Sequence, residues 1–313
     1  MVPLKKHELE KLARETGFIQ NALEKMLRLI DTLGQVARHP FLKNCFALKG
    51  GTAFNLFAFN LPRLSVDADL NYVKTADKDA MLIDRAQIAT AIKTLFTDDY
   101  RIALTKEEYA LAQFELHYKA LSGSLDKFKL EINYLHRQPI VQVETKTCTL
   151  LHLNLIFPVL AFEELLAGKI IALLSRYTPR DLFDVYQAAM APFNYSVETL
   201  RALIIFYGLL SRASVFDLFS PDFSQISVLD IDRHLTPLLI RGKTPDRLDM
   251  VTKVEGLLKP LVALAEDESN IIKTFYTSGV LDVEALFPDA AMQNKIKTAP
   301  SLLWKIHNIQ SLL

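Results

Sequence analysis

Hydrophobic positions along the chain change their spacing near its middle. In the first half, short segments alternate apolar and polar residues, which predicts strands, and stand between segments with a helical period. From Phe162 onward the helical period dominates to the end. The sequence therefore predicts an α+β protein: a mixed sheet with helices over residues 1–157, then a mainly α-helical lobe over 158–313.

The predicted elements of the first half follow one another closely. We predict helices over 8–38 and 79–96, a further apolar helix that ends before Pro62, strands over 45–48, 65–73, 99–105, 109–119 and 127–135, and weaker strands near 140–155.

Composition and charge narrow the class of protein. Half of the residues are apolar and the formal net charge is zero, which argues against a disordered chain and against coating nucleic acid by bulk charge. Two cysteines predict neither a disulfide framework nor a zinc site. The N-terminus lacks the apolar core of a signal peptide, and the longest apolar run, 202–210, is too short for a bilayer. We expect a cytoplasmic protein with no membrane segment.

A glycine pair lies between the first predicted strand and the helix that follows. In Lys49-Gly50-Gly51-Thr52 the glycines let the backbone turn sharply and bring N–H groups close to a ligand, where a helix N-terminus favours an anion. A plain turn explains the pair equally well. The P-loop spacing is absent.

Two acids follow on the next predicted strand. Side chains alternate across a strand, so Asp67, Asp69 and Asn71 share one face. Carboxylates two positions apart repel unless a cation lies between them, and Mg²⁺ is the usual one beside substrate phosphates. A solvated sheet face with two acids remains the alternative.

A third acid has the same pattern on a later strand. Lys129, Glu131 and Asn133 form the polar face of that strand, and a neighbouring strand would bring Glu131 beside Asp67 and Asp69. Three carboxylates on two strands can hold two metal ions and deprotonate a hydroxyl nucleophile. Taken alone, Glu131 would be an ordinary surface residue.

A lysine interrupts the apolar stripe of the helix predicted after Phe162. Lys169 lies within this stripe, and Arg176 lies two turns later on the same side. A buried lysine is costly unless it extends to solvent or meets an anion. Both explanations stay open.

The next segment reads as the start of a helix. Thr178 is the predicted N-cap, with Pro179 at the first helical position and Asp181 closing a capping box. Capping alone explains Asp181, and a helical ion pair with Arg180 explains Asp184.

In this order, these motifs resemble the DNA polymerase β-like nucleotidyltransferase superfamily. The segment Gly50-Gly51-Thr52 is followed by fourteen intervening residues, then by Asp67-Ala68-Asp69 and, on a later strand, by Glu131. Two further motifs look like the AbiEii/MenT family of bacterial nucleotidyltransferase toxins: Arg63-x-Ser65-x-Asp67-x-Asp69-Leu70, and the helix from Phe162 with Lys169, Arg176 and Arg180-Asp181-x-x-Asp184.

The resemblance implies an enzyme that transfers nucleotides from an NTP to an acceptor hydroxyl with Mg²⁺, the acceptor being the tRNA 3′ end. It implies a polymerase β-like core, an active-site cleft to which the helical lobe contributes, growth arrest or phage defence, and an antitoxin encoded nearby. The implied catalytic residues are Asp67, Asp69, Glu131, Lys169 and Asp184, of which the first three ligate the metal. The implied nucleotide-binding residues are Gly50, Gly51, Thr52, Arg63, Ser65, Arg176, Arg180 and Asp181.

Two other functions remain open at this point. The same core in related enzymes modifies a protein or a small molecule, and a degenerate member would be an inactive nucleotide-binding module. The intact set of Asp67, Asp69 and Glu131 argues against the inactive module.

Overall fold

The structure is a computed structural model that describes residues 5–191, 195–287 and 289–311. The chain divides into two compact units. The first contains Met1–Arg137, Val143–Leu160 and Asp232–Thr244, and the second contains Gln138–Gln142, Ala161–Ile231 and Pro245–Leu313.

The first unit is built on one mixed sheet. Its strands are β1 (Phe46–Lys49), β2 (Ala68–Tyr72), β3 (Arg101–Glu108), β4 (Leu111–Lys119), β5 (Leu125–Asn133), β6 (Glu144–Cys148) and β7 (Leu155–Val159). Within the described residues, the order across the sheet is β3-β4-β5-β2-β1-β7-β6. Strand β2 runs parallel to β5, and β1 runs parallel to β7, whereas the other neighbours are antiparallel.

One face of this sheet lies in the core. The helices of the first half are α1 (Lys6–Thr16), α2 (Gln20–Arg38), α3 (Gly50–Ala53) and α4 (Lys78–Phe96), and both α2 and α4 contact the sheet. Apolar side chains of β4 and β5, among them Phe114 and Leu130, are fully buried. Because strands alternate, their polar side chains point to the opposite face.

The second unit is helical. Among the described residues, its helices are α5 (Phe162–Arg176), α6 (Pro179–Met190), α7 (Val197–Leu210), α8 (Val215–Leu218), α10 (Arg247–Leu261), α11 (Glu266–Ser278), α12 (Val283–Leu286), α13 (Ala290–Thr298) and α14 (Pro300–Gln310). Helix α9 (Val228–His234) begins in the second unit and ends in the first. Helix α5 packs against α6 and α7. No described helix is both long enough and apolar enough to span a membrane. The α+β class predicted from the sequence is confirmed.

Two predicted elements differ from the structure. The single helix over 8–38 is wrong, because Gly17 adopts φ 76° and separates α1 from α2. The strand expected over 65–73 is shorter and begins only at Ala68, since the backbone before it bonds to side chains instead of a neighbouring strand. The weak signals near 140–155 correspond to β6 and part of β7.

Candidate active site

The glycine turn at the end of β1 brings the backbone close to an acidic side chain. Gly50 has φ +68°, and a Cβ atom placed on it would lie 2.1 Å from Asp69 Oδ2. Both the left-handed backbone and the short distance require glycine here. The turn opens the short helix α3, so Gly50 and Gly51 lie where backbone N–H groups are free of helical partners.

The residue after the glycines fixes the loop that leads into β2. The Thr52 hydroxyl donates to the carbonyl oxygen of Asp67 at 2.5 Å and lies 2.9 Å from Ser65 Oγ. Thr52 is fully buried and Ser65 nearly so. These bonds set the backbone of Asp67 just before the strand begins.

Two of the predicted acids lie side by side. Asp69 on β2 is paired in register with Glu131 on the parallel strand β5. Paired positions point to the same face of a sheet, so the two carboxylates are neighbours. Asp67 precedes the strand, and its Oδ1 accepts a hydrogen bond from the Lys129 backbone N–H at 3.1 Å.

Nearby lysines only partly compensate the negative charge of Asp69 and Glu131, which we call the acid pair. Burial, and next the charge of Asp69, raise the pKa of Glu131, while Lys49, Lys106 and Lys129 oppose the rise. Within the described residues, neither Asp69 nor Glu131 has a Lys or Arg nitrogen within 4.0 Å. The pair therefore concentrates negative charge beside the glycine turn.

Asp67, Asp69 and Glu131 are the predicted ligands of a metal ion. Among the residues that the structure describes, no three His, Cys, Asp or Glu side chains form a group arranged to hold a metal ion. Asp67 departs from the expected arrangement because it lies outside the strand and bonds to the Lys129 backbone. Asp69 and Glu131 nevertheless supply neighbouring carboxylate oxygens, and such oxygens are the donors that Mg²⁺ prefers.

Four other predicted residues meet in the second unit. Lys169 Nζ lies 2.7 Å from Asp184 Oδ2 and 3.2 Å from Asp181 Oδ1. Arg176 Nε lies 2.6 Å from Asp181 Oδ2. Lys169, Asp181 and Asp184 are buried, whereas the Arg176 side chain is 59% exposed. Lys169 therefore meets anions supplied by the protein, which accounts for its place in an apolar stripe.

Asp181 has the most strongly stabilised charge of this group. Burial alone would raise the pKa of Asp181, but the charges of Lys169 and Arg176 and hydrogen bonds to the carboxylate hold it well below its usual range. The Thr178 hydroxyl donates to Asp181 Oδ2 at 2.6 Å and also caps α6, so the predicted N-cap is confirmed.

The remaining two predicted residues lie apart from these contacts. Arg63 is buried, donates from Nη1 to the carbonyl of Leu64 at 2.9 Å, and forms a β-bridge with Leu239. Arg180 lies exposed in the first turn of α6. Their nucleotide-binding roles stay predictions.

Lys106 lies near the acid pair although the sequence did not predict it, and His136 lies close enough to Lys49 to be affected by its charge. The charge of Lys106 lowers the pKa of Glu131. The two residues lie near each other because a register shift between Leu104 and Lys106 pairs Lys106 with Gln113, and Gln113 is paired with Glu131. No sequence pattern signals this bulge. His136 follows β5, and burial together with the charge of Lys49 lowers its pKa to about 3. Its ring is therefore neutral at pH 7.

The chain was compared with known families and structures. The family model described as the nucleotidyl transferase AbiEii toxin of a type IV toxin–antitoxin system matches residues 32–264. No curated protein sequence matches significantly.

Two solved structures are similar to the chain. MenT4, a nucleotidyltransferase toxin from Mycobacterium tuberculosis H37Rv, has a TM-score of 0.67 and 16% identity, covering 96% of this chain and 99% of its own. An H. pylori protein assigned provisionally as a nucleotidyltransferase has a TM-score of 0.46 and 18% identity, covering 83% and 96%. The first likeness supports the fold.

The family match includes the glycine turn, the acid pair and the Lys169 contacts, and it spans most of the chain. The protein belongs to the AbiEii family of nucleotidyltransferase toxins of type IV toxin–antitoxin systems.

Proposed function

We propose that the protein transfers a nucleotidyl group from an NTP to the 3′ hydroxyl of an RNA, with tRNA as the acceptor. Family membership supports nucleotidyl transfer from an NTP and implies an antitoxin partner. The observation that carries the proposal is the Asp69–Glu131 pair beside the Gly50 turn. Two neighbouring carboxylates that no Lys or Arg nitrogen of the described residues approaches to within 4.0 Å, next to a glycine turn, suit a metal–triphosphate substrate.

The proposed reaction is an in-line displacement. The acceptor oxygen forms a bond to the α-phosphorus, the bond from that phosphorus to the bridging oxygen breaks, and pyrophosphate leaves. Glu131 takes the proton of the acceptor hydroxyl, and its raised pKa makes it a stronger base than an ordinary glutamate. Mg²⁺ held by Asp67, Asp69 and Glu131 would neutralise charge on the phosphates.

Backbone and side-chain donors have separate proposed roles. The N–H groups of Gly50 and Gly51 would bind phosphate oxygens, while Thr52 and Ser65 are buried and hold the loop. Arg176 stays the predicted phosphate contact of the second unit: its side chain is 59% exposed, although Nε and Nη2 both donate to Asp181.

Labelling of RNA tests the proposal. Each α-³²P-labelled NTP is incubated with the protein, Mg²⁺ and total tRNA, either intact or oxidised at the 3′ end by periodate. We expect label on intact tRNA only, since oxidation removes the attacking hydroxyl. The variant Glu131→Gln should lose labelling. Glu108→Gln, which changes an exposed acid on β3, should keep it.

Other outcomes point to the alternatives. Label on protein alone, or equal label on oxidised RNA, would exclude transfer to an RNA 3′ end. Equal labelling by Glu131→Gln and the wild type would exclude Glu131 as the base.

A further inference from the structure

The polar face of β3, β4 and β5 carries a group of basic side chains that the proposed reaction does not use. We call it the basic row; it consists of Arg101, His117, Lys119, Lys127 and Lys129. Arg101 is paired with His117, and His117 is paired with Lys127, so these three lie beside one another across the sheet. Directly paired residues share a face.

The row is poorly neutralised by the protein. Glu115 pairs with Lys127 at 2.7 Å and with His117 at 3.3 Å. Within the described residues, Arg101, Lys119 and Lys129 have no carboxylate within 4.0 Å. Glu115 is also paired in register with Lys129, so one carboxylate lies among His117, Lys127 and Lys129, and the basic side chains of the row outnumber it.

The basic row begins beside the acid pair. Along β5, Lys129 and Lys127 lie two and four residues before Glu131 and on the same face. At a rise of about 3.3 Å per residue, each step advances roughly 7 Å. Positive charge therefore leads away from Glu131 in regular steps along one face of the sheet.

The far end of the row borders a cavity. Arg101, His117 and Lys119 line it together with Asp98 and Asp99, and its volume is about 520 Å³. The two acids lie in the turn before β3, beside the far end of the row.

We propose that the basic row binds the phosphates of the acceptor RNA next to its 3′ end. The inference rests on the proposed function, because it places the acceptor of that reaction. An RNA strand whose terminal hydroxyl lies at Glu131 would extend along the row, where each exposed cation replaces a counterion of one phosphate. A protein partner would have to be strongly acidic to bind the same face, and that is the competing outcome of the test.

The experiment compares two double variants. The row variant, Arg101→Gln with Lys119→Gln, removes two exposed charges at the far end of the basic row, away from Glu131. The α4 variant, Lys78→Gln with Lys93→Gln, is the matched control and removes two exposed charges from α4. Affinity for 5′-fluorescein-labelled tRNA, whose 3′ hydroxyl stays free, is measured by anisotropy over a salt series, and the KM for tRNA and for NTP is measured in the labelling assay.

The row variant should bind tRNA more weakly, with a log–log salt slope smaller by about 0.7 for each lost contact with a single strand. Its KM for tRNA should rise at least tenfold while its KM for NTP stays unchanged, and the α4 variant should match the wild type. If the row variant labels and binds tRNA as the wild type does, the row is not the RNA site although the proposed function stands. If the wild type labels no RNA, both proposals fail.

Discussion

Asp69 and Glu131 occupy paired positions on the parallel strands β2 and β5, so two carboxylates stand side by side on one face of the sheet. Neighbouring strands lie about 4.8 Å apart, and within the described residues no Lys or Arg approaches either carboxylate to within 4.0 Å. Burial, and next the charge of Asp69, raise the pKa of Glu131. The ionised carboxylate of Glu131 therefore opposes folding at neutral pH.

Replacing Glu131 should make the protein more stable and inactive. Because the folded-state pKa of Glu131 is raised above its usual 4.5, its contribution to the free energy of unfolding is present at low pH and is lost as the pH rises through the raised value. Glu131→Gln removes that loss. Urea denaturation between pH 4 and 8 should show a higher free energy of unfolding than the wild type at pH 7, and a flatter pH dependence.

Asp69→Asn separates the two causes that raise the pKa of Glu131, namely burial and the charge of Asp69. It removes the charge of Asp69 but leaves Glu131 buried, so the pKa of Glu131 should fall only part of the way towards its usual value. The pH dependence of unfolding should lie between those of the wild type and Glu131→Gln. An Asp69→Asn curve identical to the wild type would contradict coupling between the two acids.

Gly50→Ala should disturb both backbone and site. A left-handed backbone costs a non-glycine residue about 1–2 kcal/mol. The added Cβ atom would lie only 2.1 Å from Asp69 Oδ2, so the Asp69 carboxylate would have to move. We expect destabilisation of at least that size and a loss of nucleotidyl transfer. Gly256→Ala is the matched control: Gly256 lies inside α10 with nothing within 4 Å of its Cβ position. It should gain about 1 kcal/mol in helix propensity and remain active.

Strand alternation predicted the two central elements of the site well. The polar face expected for 127–135 corresponds to β5, and a neighbouring β2 brings Asp69 beside Glu131. Alternation is reliable here because one face of each strand is buried, so that a shift of one residue would expose the core. The same reasoning failed for Asp67, since the Thr52 side chain bonds to its backbone and the regular strand begins one residue later.

Contacts between residues distant in sequence could not be predicted. The spacing suggested that Asp184 pairs with Arg180 along one helix, but the structure shows a contact from Asp184 to Lys169 on α5. Likewise, nothing in the sequence indicated that 232–244 belongs to the first unit, where the Leu64 N–H donates to the Leu238 carbonyl. Such pairings depend on the packing of whole elements, which a local pattern does not encode.

The buried Glu164 should depend on Tyr207. Glu164 accepts hydrogen bonds from the Tyr207 hydroxyl and from the N–H groups of Ile140 and Val141. Burial raises the pKa of Glu164, and the Tyr207 bond opposes the rise. Tyr207→Phe removes one donor from a buried acid and should cost about 1–3 kcal/mol. It should also raise the pKa further, so the deficit in free energy of unfolding grows from pH 5 to pH 8.

Tyr186→Phe provides the comparison for that variant. It deletes a hydroxyl that donates to Asp249 at an exposed position, so it should cost no more than about 1 kcal/mol and show no such growth with pH. Equal effects of the two substitutions in urea denaturation would contradict a special role for burial at Glu164.

Lys169→Met should strongly destabilise the second unit. It removes the ammonium group that lies 2.7 Å from Asp184 and 3.2 Å from Asp181, and it leaves buried carboxylates without that partner. Breaking a buried ion pair in this way costs about 3–5 kcal/mol. Lys169→Arg keeps the charge and should cost less. Arg176→Gln removes a largely exposed cation and should cost about 1 kcal/mol or less.

A second substitution separates structure from nucleotide binding at Lys169. Lys169→Met with Asp184→Leu removes both charges of the 2.7 Å pair, so it should regain part of the lost stability relative to Lys169→Met alone. If Lys169 also binds phosphate, this double variant should fold yet bind NTP far more weakly than the wild type in equilibrium dialysis. Wild-type NTP affinity in a folded double variant would show that Lys169 serves only to neutralise Asp181 and Asp184.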